Sequence, residues 1–426
     1  MKKIFQKLVD ARPEEIRALW LGFLFNFLVL GSYYVLRPIR DNIGAEGLEN
    51  LSWMFTAVLV TMLIANALFS TIVARMPRRR FIPMAYRFFI ANLIIFFVLM
   101  RTLPPAQNVW LGRAFFIWVS VFNLFVVTVF WAFMTDLFNS DQGKRLFGFI
   151  SVGGTLGAIV GAAMTGVLVK KIGTVNLLLI SAVMLEIAAQ CVRFFPAEVQ
   201  HRQDLEPAGA EKPIGGSIWA GISHVFRSPY LLGICAFMLL HAITATLVYF
   251  QQADITLHQF HDRGARTAFF AWVDVAVNVL TIGIQIFLTG RLLKWFGVGI
   301  TLALLPMISL IGFLWMGFTP VLSLLVVFQT LRRAGNYAVS RPAREVLFTV
   351  LRREDKYKAK SFMDTFVYRA GDQTGAWSYK LLTWVGLGLT GISFVAAPLA
   401  GIWLALSLWL GRRQVALARE RESLAS

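Results

Sequence analysis

Arg332 and Arg333 stand near the middle of an otherwise apolar run, residues 322–340, in a chain made almost wholly of such runs. A guanidinium at mid-bilayer depth costs roughly 3 kcal/mol on insertion scales, and is kept where it faces a wet cavity or an opposite charge. The next apolar segment carries Asp364, Arg369 and Asp372 to similar depth. Guanidinium groups take carboxylate and phosphate oxygens two at a time. Arg332, Arg333 and Arg369 therefore outline a polar pathway that holds an anion, with Asp364 and Asp372 as their partners when no anion is bound. Neighbours on a helix point about 100° apart, so one of Arg332 and Arg333 is expected to face the pathway and the other to tie its helix to a carboxylate.

Other charged residues extend this pattern. Arg37 and Arg40, near the end of the first apolar segment, are three apart and share a helical face. Asp41 follows them, and Pro38 between them is expected to bend the helix. They are expected to meet the anion near the outward mouth, the bland alternative being arginines that snorkel to the interface. Asp136 is expected to pair with Lys144 and Arg145 as a cytoplasmic latch. The stretch Ser340-Arg341-Pro342-Ala343-Arg344-Glu345, with Lys356, Lys358 and Lys360 beyond it, flanks the two most polar segments. Arg344, Glu345 and Lys360 are read as gate or ion-pair residues. Glu186, His241 and Asp274 lie inside apolar segments and are candidates for proton coupling. An internal salt bridge or hydrogen-bonded packing is the structural alternative for each.

The elements that must position these groups follow from composition. Hydrophobic residues make up 57% of the 426 and charged residues 15%; soluble domains are nearer a quarter charged. Runs of about 20 apolar residues suit transmembrane helices. About twelve are expected, at 16–36, 53–74, 81–103, 110–134, 146–169, 175–194, 230–253, 267–292, 298–318, 321–339, 362–385 and 389–410. The fold expected is an all-α membrane protein of two pseudo-symmetric six-helix bundles. They would span residues 1–195 and 230–426, joined by a cytoplasmic linker, 196–229. In the linker Ile214, Ile218, Ile222 and Val225 predict a short amphipathic helix at the interface.

The net charge is +18. Its lysines and arginines gather at alternate segment ends, including Arg75, Arg78, Arg291, Lys294, Arg412 and Arg413. That pattern puts both termini in the cytoplasm. It also accounts for the charge without nucleic acid, which is not expected as a partner. Cys191 and Cys235 carry no framework of disulfides or metal ligands. His258 and His261, beside Asp262, lack a third ligand. No Walker motif, nucleophile triad or catalytic carboxylate pair is evident, so neither enzyme activity, a cofactor nor a metal is expected. Gly153, Gly157 and Gly161, four apart, read as a close helix-packing seam.

Two short basic turns, 71–78 and 289–297, follow the second and eighth segments and echo one another. They resemble, in degenerate form, a loop motif of the major facilitator superfamily, and segment number and composition point to that fold. Three stretches further resemble the ATP/ADP translocases, the nucleotide exchange transporters of plastids and intracellular bacteria. Tyr34 to Asp41 matches an aromatic-x-Leu-Arg-x-x-Lys-Asp pattern, with Arg40 in place of lysine and Pro38 within it. Phe130 to Phe147 is similar to a Phe-Trp, acidic turn and Lys-Arg pattern. Lys356 to Asp364 is similar to the Lys-x-Lys opening of the eleventh segment.

The resemblance implies a divergent bacterial inner-membrane transporter, monomeric among membrane lipids, that exchanges small anions, nucleotides foremost, by alternating access. Proton-coupled movement of another anionic metabolite, lipid or peptide is the alternative. A receptor that has kept the fold without transport is a third reading.

Overall fold

The computed structural model describes residues 12–73, 78–138, 140–195, 228–351 and 363–425. Among them every regular element is helical. In chain order they are α1 (Ile16–Glu46), α2 (Leu51–Val73), α3 (Arg78–Thr102), α4 (Pro105–Leu137), α5 (Ser140–Cys191) and α6 (Pro229–Gln259), then α7 (Arg263–Phe287), α8 (Thr289–Phe318), α9 (Leu322–Gly335), α10 (Arg341–Leu347), α11 (Tyr368–Trp384) and α12 (Leu389–Ala425). Two π-helical turns, Asn336–Ser340 and Met363–Val367, join α9 to α10 and precede α11.

Nine helices among the described residues are long and apolar enough to cross a membrane. The difference from twelve has a physical cause. The 52-residue α5 holds two expected segments, separated where Gly173 adopts a φ of 79°. The other two expected segments, around α9–α10 and α11, are divided by π turns into more polar helices of 14, 7 and 17 residues. Gly297, at φ 69°, likewise divides a short leading turn from the body of α8. The helix α1 runs on through Pro38 to Glu46.

The chain folds into two compact units. The first comprises Met1–Gly47, Thr56–Glu211 and Phe260–Val275; the second comprises Leu48–Phe55, Lys212–Gln259 and Ala276–Ser426. The start of α7 thus groups with α1 and α5, and the start of α2 groups with α11.

In the first unit, α1 lies directly on α5. A β-carbon at Gly153, Gly157 or Gly161 would collide with the backbone carbonyls of Phe23, Phe27 and Gly31 respectively. The expected seam is therefore real, and glycine is what allows the backbones to touch. Polar bonds fasten it: Asn26 Nδ2 donates to Ile150 O at 2.9 Å, Thr165 Oγ1 to Val35 O at 3.1 Å, and Ser32 and Ser181 share a hydroxyl bond of 2.8 Å. In the second unit, Gly371 and Gly375 of α11 meet Leu239, Ala242 and Ile243 of α6 in the same way. Behind them Phe237, Leu302, Leu347 and Trp403 form a fully packed core. The expected linker as far as residue 227, with its amphipathic helix, and the turn at Arg75 lie outside the described residues.

Candidate functional site

The second unit contains a cavity of about 560 Å³, within the size range of small-molecule sites. Four elements build it. α6 contributes His241, the π turn after α9 contributes Asn336 and Tyr337, α10 contributes Arg341, Arg344 and Glu345, and α11 contributes Tyr368. A π turn adds a residue to the helix and turns side chains off their ordinary face, a device frequent at functional sites. Here one π turn supplies two lining residues and the other ends immediately before a third.

The lining is cationic and aromatic. The Arg341 guanidinium stands 4.7 Å from the Tyr337 ring centre. His241 is 5% exposed, and its ring lies 6.1 Å from Tyr368 and 5.4 Å from Trp403. Its Nδ1 has no hydrogen-bond partner among the described residues. Arg332, Arg341 and Arg344 all impose positive potential on that ring. Glu345 is the one carboxylate among the lining residues described.

Arg332 and Arg333 are buried in the last turn of α9, at 5% and 9% exposure. Arg332 Nε donates to Gln329 Oε1 at 3.3 Å, and Gln329 in turn donates to Gln252 of α6 at 2.8 Å. Arg332 Nη1 is buried with no hydrogen-bond partner among the described residues. The guanidinium interacts electrostatically with Tyr337 and Tyr368, which line the cavity. Arg332 therefore stands behind the lining of the cavity rather than in it. Arg369 does not line the cavity. It forms an ion pair with Asp372 at 3.2 Å, and Asp372 also accepts a 3.5 Å bond from Thr246. Asp372 thus has the arginine partner that its place in the sequence suggested. The side chains of Asp364 and Lys144, and all of Lys360, lie outside the described part of the structure.

Arg37 and Arg40 are engaged within the first unit. Arg37 lies 3.7 Å from Asp41 and 3.6 Å from Asp274 of α7, and donates to the Tyr34 hydroxyl at 3.3 Å. Arg40 reaches Asp41 at 3.1 Å and Ser120 at 3.0 Å, with the Phe116 ring 4.0 Å below its guanidinium. Asp274 is 1% exposed at its side chain, as its apolar setting suggested.

Farther along the same two helices is a cluster that the sequence did not bring together. Glu46 at the end of α1 holds Arg263 at 2.8 Å and Arg266 at 2.7 Å, both from the start of α7. Arg266 also donates to Asn42 at 2.9 Å and to the carbonyls of Phe260 and His261. The signal available was weak: a lone acid and two arginines in separate loops.

One placement adds to expectation and another departs from it. Arg145 forms an ion pair with Glu15 at 2.9 Å. Glu15 is 4% exposed and also accepts from Gln142. The turn that leads into α1 lies across from the first turns of α5, so a carboxylate 130 residues earlier in the chain comes within reach of Arg145. Glu186 is not buried. Its side chain is 38% exposed and pairs with an exposed Arg87 at 3.2 Å, because it faces outward from α5 toward α3.

The sequence model of the Major Facilitator Superfamily matches residues 19–339. No curated protein sequence matches the chain. Among solved structures, a bacterial homologue of the human lysosomal transporter Spinster, inward-facing and unoccupied, is similar with TM-score 0.55 at 14% identity, covering 96% of each chain. A POT family transporter in complex with 5-aminolevulinic acid is similar at TM-score 0.63 and 11% identity, covering 94% of this chain and 96% of its own. Another, with a thioalcohol-conjugated peptide, reaches 0.64 at 11% identity over the same shares. At these identities the likeness is one of fold. The family match covers well over half of the sequence: this chain belongs to the major facilitator superfamily.

Proposed function

We propose that this secondary transporter carries a small organic anion, with the cavity between α6, α10 and α11 as its binding site. The observation that carries the reading is the cationic lining, Arg341 and Arg344 at its wall, with the buried Arg332 guanidinium behind them. An anion entering there gains two forked donors, and Tyr337, Tyr368 and His241 offer flat surfaces for a planar group. Phosphate suits the forks and a base suits the rings, so nucleotide exchange of the ATP/ADP type is the leading passenger. Arg369–Asp372 and Arg37–Asp41–Asp274 serve as ion pairs near the path rather than as ligand contacts. The setting proposed is a bacterial inner membrane with both termini cytoplasmic, and a monomer as the working unit.

The test is counterflow in proteoliposomes. Vesicles loaded with ADP should take up labelled ATP with or without a pH gradient. Arg341→Gln should weaken half-saturation roughly thirtyfold, the equivalent of about 2 kcal/mol of charged hydrogen bonding. Normal uptake by Arg341→Gln removes the site assignment. One observation favours a second reading: Asp274, deeply buried against Arg37, suits a proton carrier. Uptake of another anion that needs the pH gradient and is lost in Asp274→Asn would support it over nucleotide exchange. Tight binding with no flux would instead mean a receptor.

A further inference from the structure

Lys380, near the end of α11, has surroundings that the transport site does not explain. Its ammonium lies 5.3 Å from the Trp384 ring, 5.6 Å from Trp377 and 6.0 Å from Trp53 at the start of α2. Trp53 and Trp377 themselves meet edge to face at 4.8 Å, and Ser52 Oγ donates to Ala376 O at 2.8 Å, which fixes the two helix ends together. All these residues belong to the second unit. Tryptophan at helix ends marks the depth of the lipid headgroups. Trp53 and Trp384 are 57% and 70% exposed, and Leu381 and Val385 beside them 58% and 72%. The patch is therefore open and apolar on the outside of its unit, the setting a lipid-facing surface needs.

A lysine that merely snorkels extends its ammonium away from apolar surface into water. Lys380 instead lies close to three indole faces, which attract a cation. An ammonium has three donors. Among the described residues this one has a single hydrogen bond, to Glu49 O at 3.4 Å, and no carboxylate partner. Two donors are left at the level where phosphates lie, with apolar surface alongside for acyl chains.

We infer that Lys380, Trp53, Trp377 and Trp384 form a binding site for an anionic phospholipid. The Lys380 ammonium takes the headgroup phosphate, the indoles frame the glycerol, and the chains run along Leu381. A zwitterionic lipid carries its own ammonium beside the phosphate and is the poorer occupant.

The experiment uses the full chain in nanodiscs of equal parts phosphatidylglycerol and phosphatidylcholine with identical acyl chains. Native mass spectrometry then counts the lipid that stays bound after release. The protein should retain phosphatidylglycerol in preference. Lys380→Gln should lower that preference about fivefold, the effect of one cation at a charged lipid surface, while Lys380→Arg keeps it and shows that the fold survives substitution there. Equal preference in the protein and in Lys380→Gln overturns the inference, as does equal retention of the two lipids by the unaltered protein. Displacement by soluble glycerol phosphate at millimolar concentration also overturns it, since it would mean a site for free phosphate rather than for lipid.

Discussion

A buried guanidinium with an unmet donor is a cost to the folded protein; Arg332 carries that cost, whereas the partly exposed Arg145 has its charge answered. Arg145 sits against a nearly inaccessible Glu15. Arg145 is itself partly exposed, and Glu15 would keep its bonds from Gln142 and the Arg12 amide, so Arg145→Met should destabilise by about 1 kcal/mol in a thermal melt. Arg332 has no ion-pair partner among the described residues, and its Nη1 is unsatisfied. Replacing a buried charge by an apolar side chain of similar length can stabilise a fold by roughly 1–2 kcal/mol. Arg332→Met should therefore raise the unfolding temperature in detergent while abolishing anion transport, the trade expected where a strained residue serves function. A lower unfolding temperature for Arg332→Met would mark Arg332 as a structural brace. The sequence shows that Arg332 and Arg333 do not share one direction, since adjacent residues diverge by about 100°, so at most one is expected to face the pathway. It does not show which, because that depends on the Gln252–Gln329 bridge from another helix.

At the scale of elements, much was legible. The apolar runs mark the helices because bilayer thickness fixes their length, and glycine at positive φ marks where α5 and the start of α8 break. The seam at Gly153, Gly157 and Gly161 was legible for the same kind of reason: one spacing places small residues on one face. Less legible were α9, α10 and α11, whose charges hide their membrane character, and the two π turns, which leave no composition signature and yet bring Tyr337 and Tyr368 to the cavity wall. The seam makes a prediction that separates packing from composition. Gly157→Ala drives a methyl group into the Phe27 carbonyl and should cost roughly 1–3 kcal/mol, seen as a loss of monodisperse protein on size-exclusion chromatography. Gly148→Ala, on the same helix with open space around it, should change stability by no more than about 0.5 kcal/mol. Equal behaviour of the two variants would mean that the seam does not hold α1 on α5.

At the scale of the whole molecule, the polar contacts of α1 with α7 carry the most consequence for transport. Arg37–Asp274 at one level and Glu46 with Arg263 and Arg266 at another make a ladder of reversed polarity: α1 supplies the cation at the first rung and the anion at the second. Such a ladder fixes register, since sliding the helices would set like charges together. It was invisible in the sequence because its two sides come from opposite halves of the chain, and no local spacing links them. Alternating access requires that some contacts between helices of the two halves break and reform. The Glu46–Arg263 rung is suited to that role: the Arg263 side chain is 54% exposed, so water can replace its partner at little cost. The buried Arg266 is held more firmly, by bonds to Asn42, to two loop carbonyls and to Glu46. A paired Glu46→Cys and Arg263→Cys variant, linked by a short bifunctional thiol reagent, tests this directly. If the rung opens in each cycle, the link stops uptake into proteoliposomes, cleavage of a reducible linker restores it, and each single cysteine variant still transports. Undiminished uptake in the fully linked protein would show that α1 and α7 stay together throughout, and that the ladder is a permanent brace around which other helices move.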